Sequence, residues 1–479
     1  MNSPGASFDS IVERERGLQH SLSAGRLSMI AIGGAIGTGL FLGSGLAMSL
    51  AGPAVLVSYA IGAVIALLLM GCLAEMTVAH PTTGSFGAYA EYFVSPLAGF
   101  LVRYAYWAAN VLAVGSEVTA IALYMHFWFP QIAGWPWIVG FAALLILVNA
   151  RSVNVFGTIE YWFSSIKIVA IVCFILLASY VLLRAPPGSA LGFHNYRSHG
   201  GFFPLGLWGT WLALIVAIFS YLSIEMIAVA AGEAEQPEVA VTRAFRATLV
   251  RLILFYLLTL ALMLAIVPWN LAGVDESPFV KVMRILQLPA AAGVVNFVIL
   301  VAALSAMNSQ LYITTRMMFS LARAGYAPRR FGTLGRRGVP LQALLLSSIG
   351  IAVAAVASIA APKAAYVFML AISAFGSMFA WLMIFITHYA FRRARARAHL
   401  PPLRFRMPGY PVTSLLGAAL MAAVLITTLF SAAFRPTLLF GVPFLLGLAA
   451  IYALWYRQGP RRTSSDRETA TLPDDLRLH

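Results

Sequence analysis

Ile32-Gly33-Gly34-Ala35-Ile36-Gly37-Thr38-Gly39-Leu40-Phe41 places four glycines within seven residues, inside an apolar run long enough to cross a bilayer. Glycine in a helix interior costs about 1 kcal/mol relative to alanine, so the cluster weakens the helix that contains it. In hydrocarbon, unpaired backbone groups are tolerated only where they are buried in protein or line a wet cavity. Two readings follow. One is close helix packing, because small residues let helices approach and Gly33 and Gly37 have the small-xxx-small spacing. The other is a broken membrane helix that holds a small polar solute near the midplane.

The surrounding sequence sets the class. Of 479 residues, 61% are hydrophobic and 10% are charged, against about 25% charged in soluble domains. An all-α polytopic membrane protein is expected. Residues 27–74 contain no Asp, Glu, Lys or Arg, too long a stretch for one span of about 20 residues. It divides at Ser49-Leu50-Ala51-Gly52-Pro53, a turn signal between two spans. The same reasoning gives about twelve spans, near 27–49, 54–78, 97–128, 135–150, 158–183, 208–231, 247–267, 290–315, 341–361, 364–390, 413–433 and 437–456. The first 26 residues mix Asp9, Glu13 and Glu15 with Arg14, Arg16 and Arg26, unlike a cleavable signal. Cys72 and Cys173 fall inside spans and read as buried small hydrophobes rather than a disulfide or metal pair.

The net charge of +15 is distributed as a membrane topology requires, which argues against a nucleic-acid partner. With both termini cytoplasmic, 25 of the 32 basic residues fall on the cytoplasmic side and six on the other, and Lys167 lies within a span. This is the positive-inside asymmetry.

Inverted repeats place an interrupted helix at the matching position of each half. If spans one to five repeat as six to ten, span six should also break. It reads Ala217-Ile218-Phe219-Ser220-Tyr221-Leu222-Ser223-Ile224-Glu225-Met226, with two serines to bond freed backbone and an ionisable residue deep in an apolar segment. Paired breaks suit a zwitterion: a half-helix N-terminus favours a carboxylate, and unwound carbonyls favour an ammonium. Gly37, Thr38 and Gly39 offer N–H groups and a hydroxyl to the first, and carbonyls near Ala35, Phe219 and Leu222 suit the second. The plainer readings are core packing for Phe219 and bonding to the preceding turn for Ser220 and Ser223.

Ile32 to Gly43 resembles the first-helix signature of the amino acid–polyamine–organocation superfamily. More closely, it resembles bacterial amino acid permeases related to the GABA, aromatic amino acid, lysine and D-serine/D-alanine/glycine permeases. The resemblance continues, in order, through Leu73-Ala74-Glu75-Met76, Pro81-Thr82-Thr83-Gly84-Ser85-Phe86, Glu225 to Glu233, Ile266-Val267-Pro268-Trp269-Asn270 and Arg316 to Pro328. It implies a five-plus-five inverted repeat, the LeuT-like fold, followed by two C-terminal helices. The parts would be a cytoplasmic tail (1–26), a first repeat (27–183), an extracytoplasmic loop (184–207), a second repeat (208–390), a cytoplasmic loop with the last two spans (391–456) and a cytoplasmic tail (457–479). It also implies amino acid import across the bacterial cytoplasmic membrane, usually with a proton as coupling ion and no cofactor. Substrate roles then fall on Gly37, Thr38, Gly39, Ala35, Phe219 and Leu222.

Charges inside the membrane each need a reason. Lys167 could snorkel, its stem reaching cytoplasmic headgroups; the resemblance implies instead an ammonium standing where sodium-coupled relatives bind their ion. Glu225 could gate, take a proton or pair with Lys167, or be a neutral carboxyl that locks helix packing. Glu117, beside Ser116, could point towards the pocket, and Ser116, Glu117, Ser223 and residues of spans eight and ten are candidates for side-chain selectivity. Glu75 and Glu233, near cytoplasmic span ends, suit loop structure or closure. Trp128, Trp135, Trp137, Trp208 and Trp211 fit an outer aromatic belt, and Phe219 an occluding gate. An exchanger and a non-transporting amino acid sensor are the alternatives to a symporter. No paired metal motif, G-x-S-x-G elbow or C-x-x-C supports an enzyme.

Overall fold

A computed structural model describes residues 36–456, except 83, 152, 187–188, 231–252, 274, 336, 362–363, 402 and 404, together with Phe8, Ile11, Glu13, Gly25, Met29 and Gly34. Regular structure among the described residues is helical, with no strand. The chain runs through a π-helical turn (Gly39–Gly43) into α1 (Ser44–Ala51), then α2 (Val55–Ala79), α3 (Ser85–Phe93), α4 (Pro96–His126), α5 (Gly134–Asn149), α6 (Val153–Arg184), α7 (Gly206–Tyr221) and α8 (Met226–Ala230). It continues as α9 (Ile253–Ile266), α10 (Pro278–Ile285), α11 (Pro289–Arg323), α12 (Leu341–Ser347), α13 (Ile349–Ala360), α14 (Ala365–Arg397), α15 (Val412–Thr427) and α16 (Arg435–Ile451).

Nine helical stretches among the described residues are long and apolar enough to cross a membrane, and α5 and α9 are shorter apolar helices at the places expected for spans four and seven. One of the nine, Gly39–Ala79, joins expected spans one and two. Gly52, at φ +62°, turns the chain there, a conformation that glycine adopts without steric cost.

Local sequence accounts for the ends of the helices. Ser95 caps α4 by accepting the Ala98 N–H, with Pro96 in the first turn, where its missing N–H leaves no bond unmade. The landmark at Arg316 to Pro328 is a helix stop. Gly325 sits at φ +79°, the Tyr326 N–H reaches the Leu321 carbonyl and the Gly325 N–H reaches that of Ala322, the paired bonds of a Schellman cap.

α4 is the axis of the molecule, packed most extensively on α11 and α14 and next on α13. Its most apolar window is 78% buried, whereas that of Arg435–Tyr456 is 17% buried. Leu176, Leu183, Leu207, Ile359 and Leu454 are exposed. Such a coat of apolar side chains suits lipid and not water. Cys72 is buried as expected, but Cys173 is exposed on the outer face of α6, because that helix lies at the periphery. Trp135 and Trp208 are exposed, while Trp128, Trp137 and Trp211 are half-buried in the helix packing.

Candidate functional site

Both expected breaks are present, and they touch. In the first, the backbone bends at Ile36 and Gly37 before the π-turn begins. In the second, α7 ends at Tyr221 and a turn over residues 222–225 precedes α8, with Ser223 at φ +76°. A Cβ on Gly39 would lie 2.9 Å from Ser220 Cα, one on Gly34 would lie 2.8 Å from Met226 Sδ, and one on Gly37 would lie 2.7 Å from Ala306 Cβ and 2.8 Å from Glu117 Oε1. The glycine cluster therefore serves both readings: it breaks the helix, and it lets the second break approach. Ala35, the fourth residue of the signature, lies outside the described residues.

The backbone groups freed at the breaks are taken up by side chains from other helices. Lys167 Nζ on α6 donates to the Ile36 carbonyl at 3.0 Å. Glu117 on α4 accepts the Thr38 hydroxyl at 3.1 Å and the Thr38 N–H at 3.4 Å. Tyr366 donates to the Thr38 carbonyl at 3.2 Å, and Ser277, the cap of α10, donates to the Phe41 carbonyl at 2.6 Å. At the second break Tyr256 donates to the Ser220 carbonyl at 2.8 Å. The Ser220 hydroxyl takes the plainer of its two readings, with the preceding-turn carbonyl of Val216 at 3.0 Å and Tyr59 Oη at 2.9 Å.

Glu225 is fully enclosed. It accepts from Tyr106 Oη at 2.6 Å, Trp381 Nε1 at 2.9 Å and the Ser223 N–H at 3.2 Å. The carboxylate thus ties the second break to α4 and α14 rather than pairing with Lys167. Lys167 itself is 0% exposed, so its head does not snorkel. Besides Ile36 it donates to Ser305 Oγ at 2.8 Å, and Ser305 in turn donates to Glu160. Glu160 also accepts from Asn308 Nδ2 at 2.9 Å, and Asn308 Oδ1 accepts from Asn149 Nδ2 at 2.7 Å. Sequence reasoning missed this buried chain, because Glu160 falls near the cytoplasmic end of its span and reads there as a headgroup residue.

Between the breaks lies a cavity of about 20 Å³, room for roughly one water. Gly34, Gly37, Gly39, Phe219, Leu222, Ser223 and Glu117 line it, as do four polar side chains absent from the expected site: Asn110, Gln310, Ser373 and Ser377. Ser116 is not among the lining residues. Its hydroxyl bonds back to the Ala113 carbonyl at 2.8 Å, since neighbouring positions on a helix do not share a face. Ser373 and Ser377 are four apart on α14, a spacing that places both on one face and was available in the sequence.

At the other end of α2, Glu75 is fully buried. It accepts from Arg392 at 2.7 Å, His388 Nε2 at 3.1 Å and the Met407 N–H at 2.8 Å, joining α2 to α14 and the loop before α15. Glu75 therefore braces that loop, the first of the two roles, loop structure or closure, expected of it; Glu233 lies outside the described residues.

Two broken helices meeting at a small polar cavity inside an apolar helical bundle define a multi-pass membrane transporter. The comparisons name the family. The amino acid permease family matches residues 26–464, and the chain belongs to it. Among Bacillus subtilis (strain 168) proteins, it is 36% identical to a gamma-aminobutyric acid permease over 97% of this chain and 99% of that one. It is 35% identical to an uncharacterised amino acid permease, YtnA, over 95% and 99%. It is 38% identical to the amino-acid permease RocC over 91% and 94%. Among solved structures, the Eremococcus coleocola manganese transporter, in complex with an aromatic bis-isothiourea substituted compound, superposes with a TM-score of 0.57 at 14% identity, over 95% of this chain and 96% of that chain. That likeness concerns the fold. The chain is thus a transporter of amino acids across a membrane, as its family is.

Proposed function

We propose that this protein imports an amino acid across the bacterial cytoplasmic membrane by proton symport, with both termini cytoplasmic. Residues 27–183 and 208–390 would form the inverted repeats of an alternating-access cycle. The observation that carries the reading is Lys167: a buried ammonium on the Ile36 carbonyl, at the bend of the first broken helix. An ammonium that gives up its proton there keeps two N–H donors but loses its charge, which weakens its hold on that bend, so protonation and the geometry of the site are linked.

In this reading the substrate carboxylate sits at Gly37, Thr38 and Gly39, and its amine faces carbonyls at Ala35, Phe219 and Leu222. Glu117 now occupies the Thr38 donors, which supports assigning them to a substrate carboxylate. Loading therefore requires Thr38 to release Glu117 and the walls to part, since the cavity of about 20 Å³ is far below the several hundred typical of ligand pockets. Phe219, on the cavity wall, acts as the gate, and Glu225 holds the second break in register.

The test is uptake of radiolabelled amino acids by purified protein in proteoliposomes with the lumen alkaline. Uptake should follow the pH gradient and collapse with a protonophore. Lys167→Ala should lose gradient-driven accumulation while keeping equilibrative exchange. Uptake that ignores the protonophore and needs internal amino acid would make the protein an exchanger. Binding without flux would make it a sensor.

A further inference from the structure

The cavity wall facing away from the two breaks is built from Asn110 on α4, Gln310 on α11 and Ser373 and Ser377 on α14. Four polar side chains from three helices converge there, each at least nine-tenths buried. Their hydrogen bonds leave a pattern. Asn110 donates one amide N–H to the Tyr106 carbonyl at 3.0 Å, which leaves its oxygen and its second N–H. Ser373 spends its hydroxyl proton on the Leu370 carbonyl at 3.0 Å, which leaves lone pairs. Gln310 is 5% exposed, and its Oε1 finds no partner among the described residues.

A buried amide without a partner is costly, and native interiors satisfy nearly all such groups. A site that keeps one on its wall is matched to a ligand that completes it. Among the unspent groups are acceptors: the oxygens of Asn110 and Gln310 and the lone pairs of Ser373.

We propose that this wall is the side-chain subsite, and that the transported amino acid ends in an N–H-bearing group — an amide, imidazole, amine or guanidinium — with Gln310 as its principal partner. The inference rests on the transport reading above and adds the substrate class. Aliphatic and aromatic amino acids of the same size would leave the Gln310 amide buried and unpaired. Sites built around hydrogen bonds reject such analogues strongly, by up to roughly 10⁴-fold.

The test uses size-matched pairs on the purified full chain, read by thermal shift and by competition in proteoliposomes: ornithine against norleucine, glutamine against methionine, and histidine against phenylalanine. The nitrogen-bearing member of at least one pair should bind at least about tenfold more tightly than its apolar partner. In Gln310→Leu that ratio should fall severalfold, and in Gln310→Asn it should partly survive. The wild-type ratios need no variant, so a misfolded Gln310→Leu leaves the test intact. Tighter binding of the apolar members in all pairs, or an unchanged ratio in a folded Gln310→Leu, would overturn the subsite while leaving amino acid transport standing. An absence of binding by all six would overturn the transport reading, and this inference with it.

Discussion

Glu225 illustrates what one carboxylate can do inside a bundle. It accepts from Tyr106, Trp381 and the Ser223 N–H, so all three partners require an acceptor. Glu225→Gln turns an N–H₂ towards one of these donors. The expected loss is about 1–3 kcal/mol, seen as a lower melting temperature in detergent. Tyr106→Phe, which removes one donor and leaves the carboxylate two others, should cost less. The reverse order would assign Glu225 a role other than tying the second break. In the sequence, the glycine cluster could be read because glycine is costly in a helix, and Glu225 because charge is costly in lipid. Gln310 and Asn110 could not. A single amide in an apolar helix is ambiguous until the packing of α4 against α11 shows which way each residue faces.

The helices are held at contacts that the sequence marks only with glycine. A Cβ on Gly350 of α13 would run into the Val111 carbonyl, and one on Gly376 of α14 into the Ala105 carbonyl. Both carbonyls belong to α4, so these two glycines set how closely the axis is embraced. Gly350→Ala and Gly376→Ala should each destabilise by about 1–3 kcal/mol or more. Gly140→Ala, where a Cβ meets nothing within 4 Å, should be neutral or stabilising by up to about 1 kcal/mol. Thermal unfolding of the three variants checks the contrast. The element ends were legible where capping residues stood, as at Ser95 and Gly325. These close approaches were not, because glycine in a membrane helix can equally mark a break, a contact or nothing. At the far end of α2, Glu75→Ala strands His388 and Arg392 and should cost about 3–5 kcal/mol. Arg392→Ala should cost less, since its side chain is 14% exposed and reaches solvent.

Taken whole, the molecule is a buried axis in an apolar coat, and the proposed orientation rests on where the arginines lie. In a Cys173→Ala background, Lys281→Cys should react with an impermeant maleimide on intact cells, and Arg329→Cys only after permeabilisation. The opposite pattern would invert the proposed topology. Class and family were readable early because composition and ordered landmarks run the length of the chain. The far wall of the cavity was hidden because it is assembled from three helices widely separated in sequence.

The Ser277–Phe41 hydrogen bond joins the cap of an outer helix to the turn that follows the glycine break. A rearrangement of that turn during transport would be transmitted to α10, whose Arg284 side chain is 59% exposed. In the proposed topology a dye placed there would follow the cycle from outside the cell, and an antibody fragment clamped on the same helix would arrest it without entering the pore.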